Sequence, residues 1–181
     1  MEPLFQGVQW IVPTDLGISQ LYLNKSKLRD VEKWFDPNNM NLCQPLPVYD
    51  FGDGRLTLTD GHSRAFTAYQ YKAKVPIVYD TDDIATCKEG QLLYKNDIVW
   101  CRRFKLRTVA DLENRIVDDS EYQSLWIERC DRAYNLLTQT DEQERLQLER
   151  QHVDLFLYGA NNDLTIYYFE NEKGQLFEFA R

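Results

Sequence analysis

A chain of 181 residues with 43% hydrophobic and 13% aromatic content carries enough apolar side chain to bury a core. Its 29 acidic residues against 21 basic ones leave a net charge of −8, which argues against a broad nucleic-acid-binding face because such a face is basic. No apolar run approaches a membrane span, and the N-terminus lacks the layout of a signal peptide. The four cysteines (Cys43, Cys87, Cys101, Cys130) stand apart and suggest neither a zinc site nor a disulfide framework, so a cytoplasmic protein with reduced thiols is expected.

In chain order, Trp10-Ile11-Val12 reads as a short strand or extended arm, with a turn at residues 13–17. Residues 20–24 alternate at Leu21 and Leu23, as a strand does. Residues 25–35 bring Leu28, Val31, Trp34 and Phe35 to one face of an amphipathic helix, with Asn24 as N-cap and Asp36-Pro37-Asn38-Asn39 as the stop. Pro45-Leu46-Pro47 leads into a strand at residues 48–51. Gly52-Asp53-Gly54 signals a hairpin turn, and residues 55–59 return antiparallel. Ala65, Phe66, Ala68 and Tyr69 mark the next helix, and residues 75–79 another strand, closed by the acidic run Asp80-Thr81-Asp82-Asp83. This order (strand, helix, hairpin, helix, strand) predicts an α/β domain over residues 1–86.

From residue 87 the pattern turns helical. Residues 90–104 form one helix, with Arg102, Arg103 and Lys105 at the end where the dipole favours cations. Thr108 to Asp111 resembles a capping box for a short helix reaching about residue 117. Ser120 to Gln123 is a second capping box. It opens a helix over residues 121–138, whose stripe of Tyr122, Leu125, Trp126, Cys130, Ala133, Leu136 and Leu137 belongs in a core. Thr140 to Gln143 caps a further helix to about His152, to which no role is assigned. Residues 155–158 read equally as a strand or as more helix. Residues 164–169 and 175–179 flank a hairpin loop at residues 170–174. The whole is an α+β protein: an α/β domain, then a helical region over residues 87–181 ending in a β-hairpin or meander.

The chemistry concentrates in residues 56–71. Between a strand marked by Leu56 and Leu58 and the helix after it lies Thr59-Asp60-Gly61-His62-Ser63-Arg64. Gly61 lets the backbone turn tightly, and the free N–H groups of a starting helix point at whatever lies above them. His62 and Arg64 stand where the helix dipole disfavours cations, unless an anion offsets it. Gly61, His62, Ser63 and Arg64 are therefore the candidate binders of a nucleotide or phosphorylated small molecule. Asp60 and His62 are the candidate catalytic groups, Asp60 by holding Mg²⁺ or accepting a substrate proton. The plainer alternative makes Asp60 an N-cap and pairs Arg64 with Asp50 or Asp80. Lys25 and Lys27 are within reach of a phosphate. Asp80, Asp82 and Asp83 read as a solvated loop rather than a metal site, since a hard cation needs converging oxygens.

Residues 46–51, 56–69 and 75–79 together resemble the ParB/sulfiredoxin superfamily, in which a strand ends in an Asp-Gly-His-x-Arg turn and leads directly into a helix. The resemblance covers roughly residues 20–84. The whole chain is similar to bacterial proteins with an N-terminal ParB-like domain. Sulfiredoxins carry a reactive cysteine before the His-Arg pair, where Gly61 stands here. Partition-type ParB proteins bind CTP through a Gly-Glu-Arg-Arg motif, where this chain has Gly61-His62-Ser63-Arg64. The free-serine kinases of the superfamily match best, through Asp60, Gly61, His62 and Arg64, with Ser63 in place of a second histidine. Their catalytic glutamate follows the first strand. Here that region is Leu23-Asn24-Lys25-Ser26-Lys27, and the nearest glutamate is Glu32.

The resemblance implies ATP or ADP as cofactor, with Mg²⁺, in a small-molecule phosphotransferase acting on a free amino acid, or in a nucleotide hydrolase. The alternative is a non-catalytic nucleotide sensor whose C-terminal half binds a protein partner. A DNA-acting ParB-like nuclease fits the net charge worst.

Overall fold

Short apolar runs separated by turn residues set the pattern of the N-terminal region. The computed structural model describes residues 4–137, 166–170 and 176–180. Strand β1 (Gln9–Ile11) is followed by a 3-10 turn at Pro13–Asp15, and β2 (Leu23–Asn24) leads into helix α1 (Lys25–Glu32). Asn24 caps α1 by accepting the Lys27 N–H at 2.8 Å, as its sequence position predicts. Strands β3 (Leu46–Asp50) and β4 (Leu56–Leu58) form the expected antiparallel hairpin, with Val48 opposite Leu58. Helix α2 (His62–Gln70) crosses to β5 (Val75–Tyr79), which lies parallel to β3 and antiparallel to β1. The main sheet is thus mixed, in the order β1-β5-β3-β4.

Helices α3 (Asp83–Thr86) and α4 (Lys88–Arg103) follow. A 3-10 segment (Val109–Arg115) and β6 (Ile116–Val117) come next, then α5 (Asp119–Tyr122), a π-helical turn (Gln123–Ile127) and α6 (Glu128–Leu137). Strands β7 (Ile166–Glu170) and β8 (Leu176–Ala180) pair antiparallel, the C-terminal hairpin the sequence predicts. Six helices and a mixed sheet make this an α+β protein among the described residues. The expected helix to His152 and the segment at residues 155–158 lie outside them.

Several boundaries move for physical reasons. Of the strand expected over residues 20–24, only Leu23 and Asn24 pair, and their partner is β6, in parallel. That pairing takes Ile116 and Val117 out of the helix expected to reach them, although the Thr108–Asp111 capping box forms. Helix α1 closes at Glu32, leaving Trp34 43% exposed rather than in the core. The α5 capping box uses Asp118 and Glu121, two residues before the predicted start. The π turn then inserts a residue into the helical repeat. Tyr122 and Trp126 stay buried while Leu125, predicted on the same stripe, turns out to 42% exposure.

One apolar cluster joins Leu16, Leu23, Leu46, Val48, Leu58, Phe66 and Ile77 to Cys101, Val109, Leu112 and Trp126, so residues on both sides of position 86 enter it. Phe66, on α2, is among its largest fully buried side chains, worth roughly 1.5–3 kcal/mol on burial. That burial anchors α2 in the core, where it also packs on α1 and on the 3-10 segment at Val109–Arg115. No helix among the described residues is long and apolar enough to cross a membrane.

Candidate functional site

Helix α2 begins without a side-chain cap. Its N-cap is Gly61 in the left-handed conformation (φ +80°), and the first intrahelical bond runs from the Ala65 N–H to the Gly61 carbonyl at 2.9 Å. A side chain at Gly61 is disfavoured by that φ, and its Cβ would also press on Leu46 Cδ2 at 2.7 Å. Among the described residues, no side chain accepts from the first backbone N–H groups of α2. They open into a cleft of about 280 Å³ lined also by Lys27 and Asp30 of α1, Gln20, Asp60 and Tyr122.

Each predicted residue of the turn has a distinct setting. His62 is 3% exposed, and its Nε2 accepts the Ser19 backbone N–H at 3.1 Å, which leaves the proton on Nδ1. Burial pushes the imidazole down to about 4, with Asp60 pulling weakly the other way. His62 thus enters the site as a neutral ring, not as the cation that the dipole reasoning counted. It also ties the Ser19 segment to the helix start, alongside the Ser19 hydroxyl, which donates to the Leu58 carbonyl at 2.7 Å.

Arg64 donates from Nη1 to the Gln44 carbonyl at 3.0 Å and lies 3.5 Å from Asp60 Oδ2, so its partner is neither Asp50 nor Asp80. Asp60 does not cap α2; its side chain is 80% exposed at the cleft edge. Ser63 and Gly61 also line the cleft. Asp80, 7% exposed, accepts from the Thr59 hydroxyl and from the Asp82 N–H at 2.9 Å, a role in holding the loop after β5. Lys25 is exposed and does not line the cleft, whereas Lys27 does, with its Nζ 5.3 Å from the centre of the Tyr122 ring. Among the described residues no three metal-ligating side chains converge.

Three cleft residues escaped sequence reasoning. Gln20 donates to the Tyr122 hydroxyl at 3.0 Å across 102 positions of chain, a contact with no local signature. Helical spacing puts Tyr122 on a core stripe, and it serves both the core and the cleft wall; burial pushes its hydroxyl up to about 12. Asp30 faces the cleft from α1 and is held by Lys33 at 2.6 Å. The signal for Asp30 was its helical spacing from Lys27, since residues three apart share a face.

Comparison of the chain with protein families, with curated proteins and with solved structures finds no match. The functional reading therefore rests on the residues themselves.

Proposed function

We propose that the chain contains a ParB/sulfiredoxin-like domain whose cleft at the start of α2 binds the phosphates of a small molecule, a nucleotide such as ATP or ADP foremost. The observation that carries this is the uncapped start of α2 at a left-handed Gly61, opening into a cleft shared by Arg64 and Lys27. Free helix N–H groups beside a guanidinium and an ammonium are a phosphate environment. The order of β2, α1, the β3–β4 hairpin, α2 and β5 supports the superfamily reading. In it, Ser63 and Arg64 contact phosphate while Gly61 provides the approach and neutral His62 holds the turn.

Asp30 and Asp60 both line the cleft, and Mg²⁺ commonly uses one or two carboxylates together with substrate phosphates, so these two fit an ion that arrives with the nucleotide. In the enzymatic reading Asp60 accepts the proton of an acceptor hydroxyl, and the product is a phosphorylated small molecule such as an amino acid. Glu32 is not among the residues lining the cleft, which favours the second reading, a nucleotide sensor whose C-terminal half binds a protein partner.

A thermal-stability screen with ATP, ADP and inorganic phosphate, with and without Mg²⁺, tests the binding. A ligand at about 100 times its Kd adds about 2.7 kcal/mol to a protein that binds it only when folded. The Arg64→Gln, Lys27→Gln double variant loses about tenfold or more in affinity. No shift with any nucleotide, or an equal shift in the variant, contradicts the proposal. ADP formation with free serine separates enzyme from sensor.

A further inference from the structure

A second cleft, of about 480 Å³, shares no lining residue with the first. Its floor is apolar and buried: Ile98 and Cys101 from α4, with Leu106 just beyond it. Gly17 forms one wall. Its N–H donates to the Leu56 carbonyl at 2.8 Å and its own carbonyl accepts the Leu58 N–H at 3.0 Å, which clamps it against β4. A Cβ at Gly17 would meet Thr57 Oγ1 at 2.5 Å, so only glycine leaves this wall open. Thr57 itself lines the cleft, is fully buried, and has a hydroxyl without a hydrogen-bond partner among the described residues.

The rim is basic. Arg102 is paired with Asp53 at 2.5 Å, and Arg55 donates to the Arg107 carbonyl at 3.2 Å. Neither Arg55 nor Arg107 has a carboxylate within ion-pair distance among the described residues. Among the described residues Asp53, paired with Arg102, is the one carboxylate lining the cleft beside three arginines, so on a chain of net charge −8 this mouth carries a local excess of positive charge over an apolar floor. Guanidinium forks match planar or tetrahedral oxyanions, and the volume falls within the range of small-molecule sites.

We propose that this cleft binds a small organic oxyanion with an apolar body. Arg55 and Arg107 hold its carboxylate or phosphate, and Ile98, Cys101 and Leu106 form the platform for its apolar part. This stands independently of the nucleotide reading, because the residues are different.

An amide NMR titration with phenyl phosphate and, separately, benzoate tests it on the full chain. At least one probe shifts the amides of Gly17, Gly54 and Thr57 saturably, and which one does so identifies the head group. Arg55→Gln and Arg107→Gln, both at exposed side chains, each weaken that binding about tenfold or more. Arg64→Gln leaves it unchanged. The proposal is overturned if neither probe moves these amides, if both rim variants bind as the wild type does, or if inorganic phosphate binds as tightly as phenyl phosphate, since the platform would then contribute nothing. A spectrum unchanged away from the cleft certifies that the variants fold.

Discussion

The start of α2 and the junction of α4 with α6 each bury a titratable side chain, and they solve the problem in opposite ways. His62 sheds its charge: burial holds it neutral, and a backbone N–H from Ser19 satisfies Nε2. At the other junction both charges are kept. Arg129 Nη1 donates to Asp97 Oδ1 at 2.7 Å, with both residues buried and the guanidinium 5.7 and 5.5 Å from the ring centres of Trp100 and Trp126. Burial pushes Asp97 up to about 6 while Arg129 pulls against it. A neutral ring beside an open cleft leaves the positive field there to the helix N–H groups, Arg64 and Lys27. A paired charge between two helices joins them, with Arg129 Nη2 and Trp100 Nε1 left without partners among the described residues.

The largest effect expected from breaking this comparison is at the ion pair. Arg129→Ala leaves Asp97 buried and unpaired and costs about 3–5 kcal/mol of stability, read as a lower midpoint in urea unfolding. The paired replacement of Asp97→Leu with Arg129→Met restores most of that loss, because the site then holds apolar side chains and no orphaned charge. If Arg129→Ala costs under about 1 kcal/mol, the pair is not a structural link.

The next effect separates the two sites by pH. His62 is held near 4 against an ordinary 6.5, so the unfolded chain takes up its proton first as pH falls. Its contribution is fully present above pH 6.5 and is lost toward pH 4, roughly 3 kcal/mol in all. Asp97 runs the other way. Held near 6 against an ordinary 3.8, it binds a proton first in the folded state, so its contribution to stability grows as pH falls from 6 to 4. Urea unfolding at pH 7, 6, 5 and 4 therefore gives a steeper acid loss in Asp97→Asn than in the wild type. In His62→Gln the acid loss is shallower or reversed. Parallel profiles in the two variants would refute the contrast.

Local signals made much of this legible and non-local ones did not. The hairpin at residues 52–54, the Asn24 cap and the strand-turn-helix at residues 56–71 depend on neighbours in sequence, and each forms as read. The parallel pairing of β2 with β6, the π turn that exposes Leu125, and the Asp97–Arg129 pair across 32 positions depend on tertiary packing, which a periodicity cannot carry. At the site, the turn is legible in the sequence, but the setting of its residues is not. Of the two readings of Asp60, the plainer one as a helix cap is overturned, because the left-handed Gly61 takes that position. His62 looks like a cation, yet burial by the Ser19 segment, more than forty positions away, makes it neutral.

The central claim is that the free N–H groups at the start of α2 hold a phosphate. A titration of the full chain with ADP and Mg²⁺, followed by amide NMR, measures it most directly. Binding as described moves the Ser63 and Arg64 amides most and saturates together with smaller shifts at Gln20 and Tyr122. Saturable shifts confined to other residues, or no shift at Ser63 and Arg64, would contradict it.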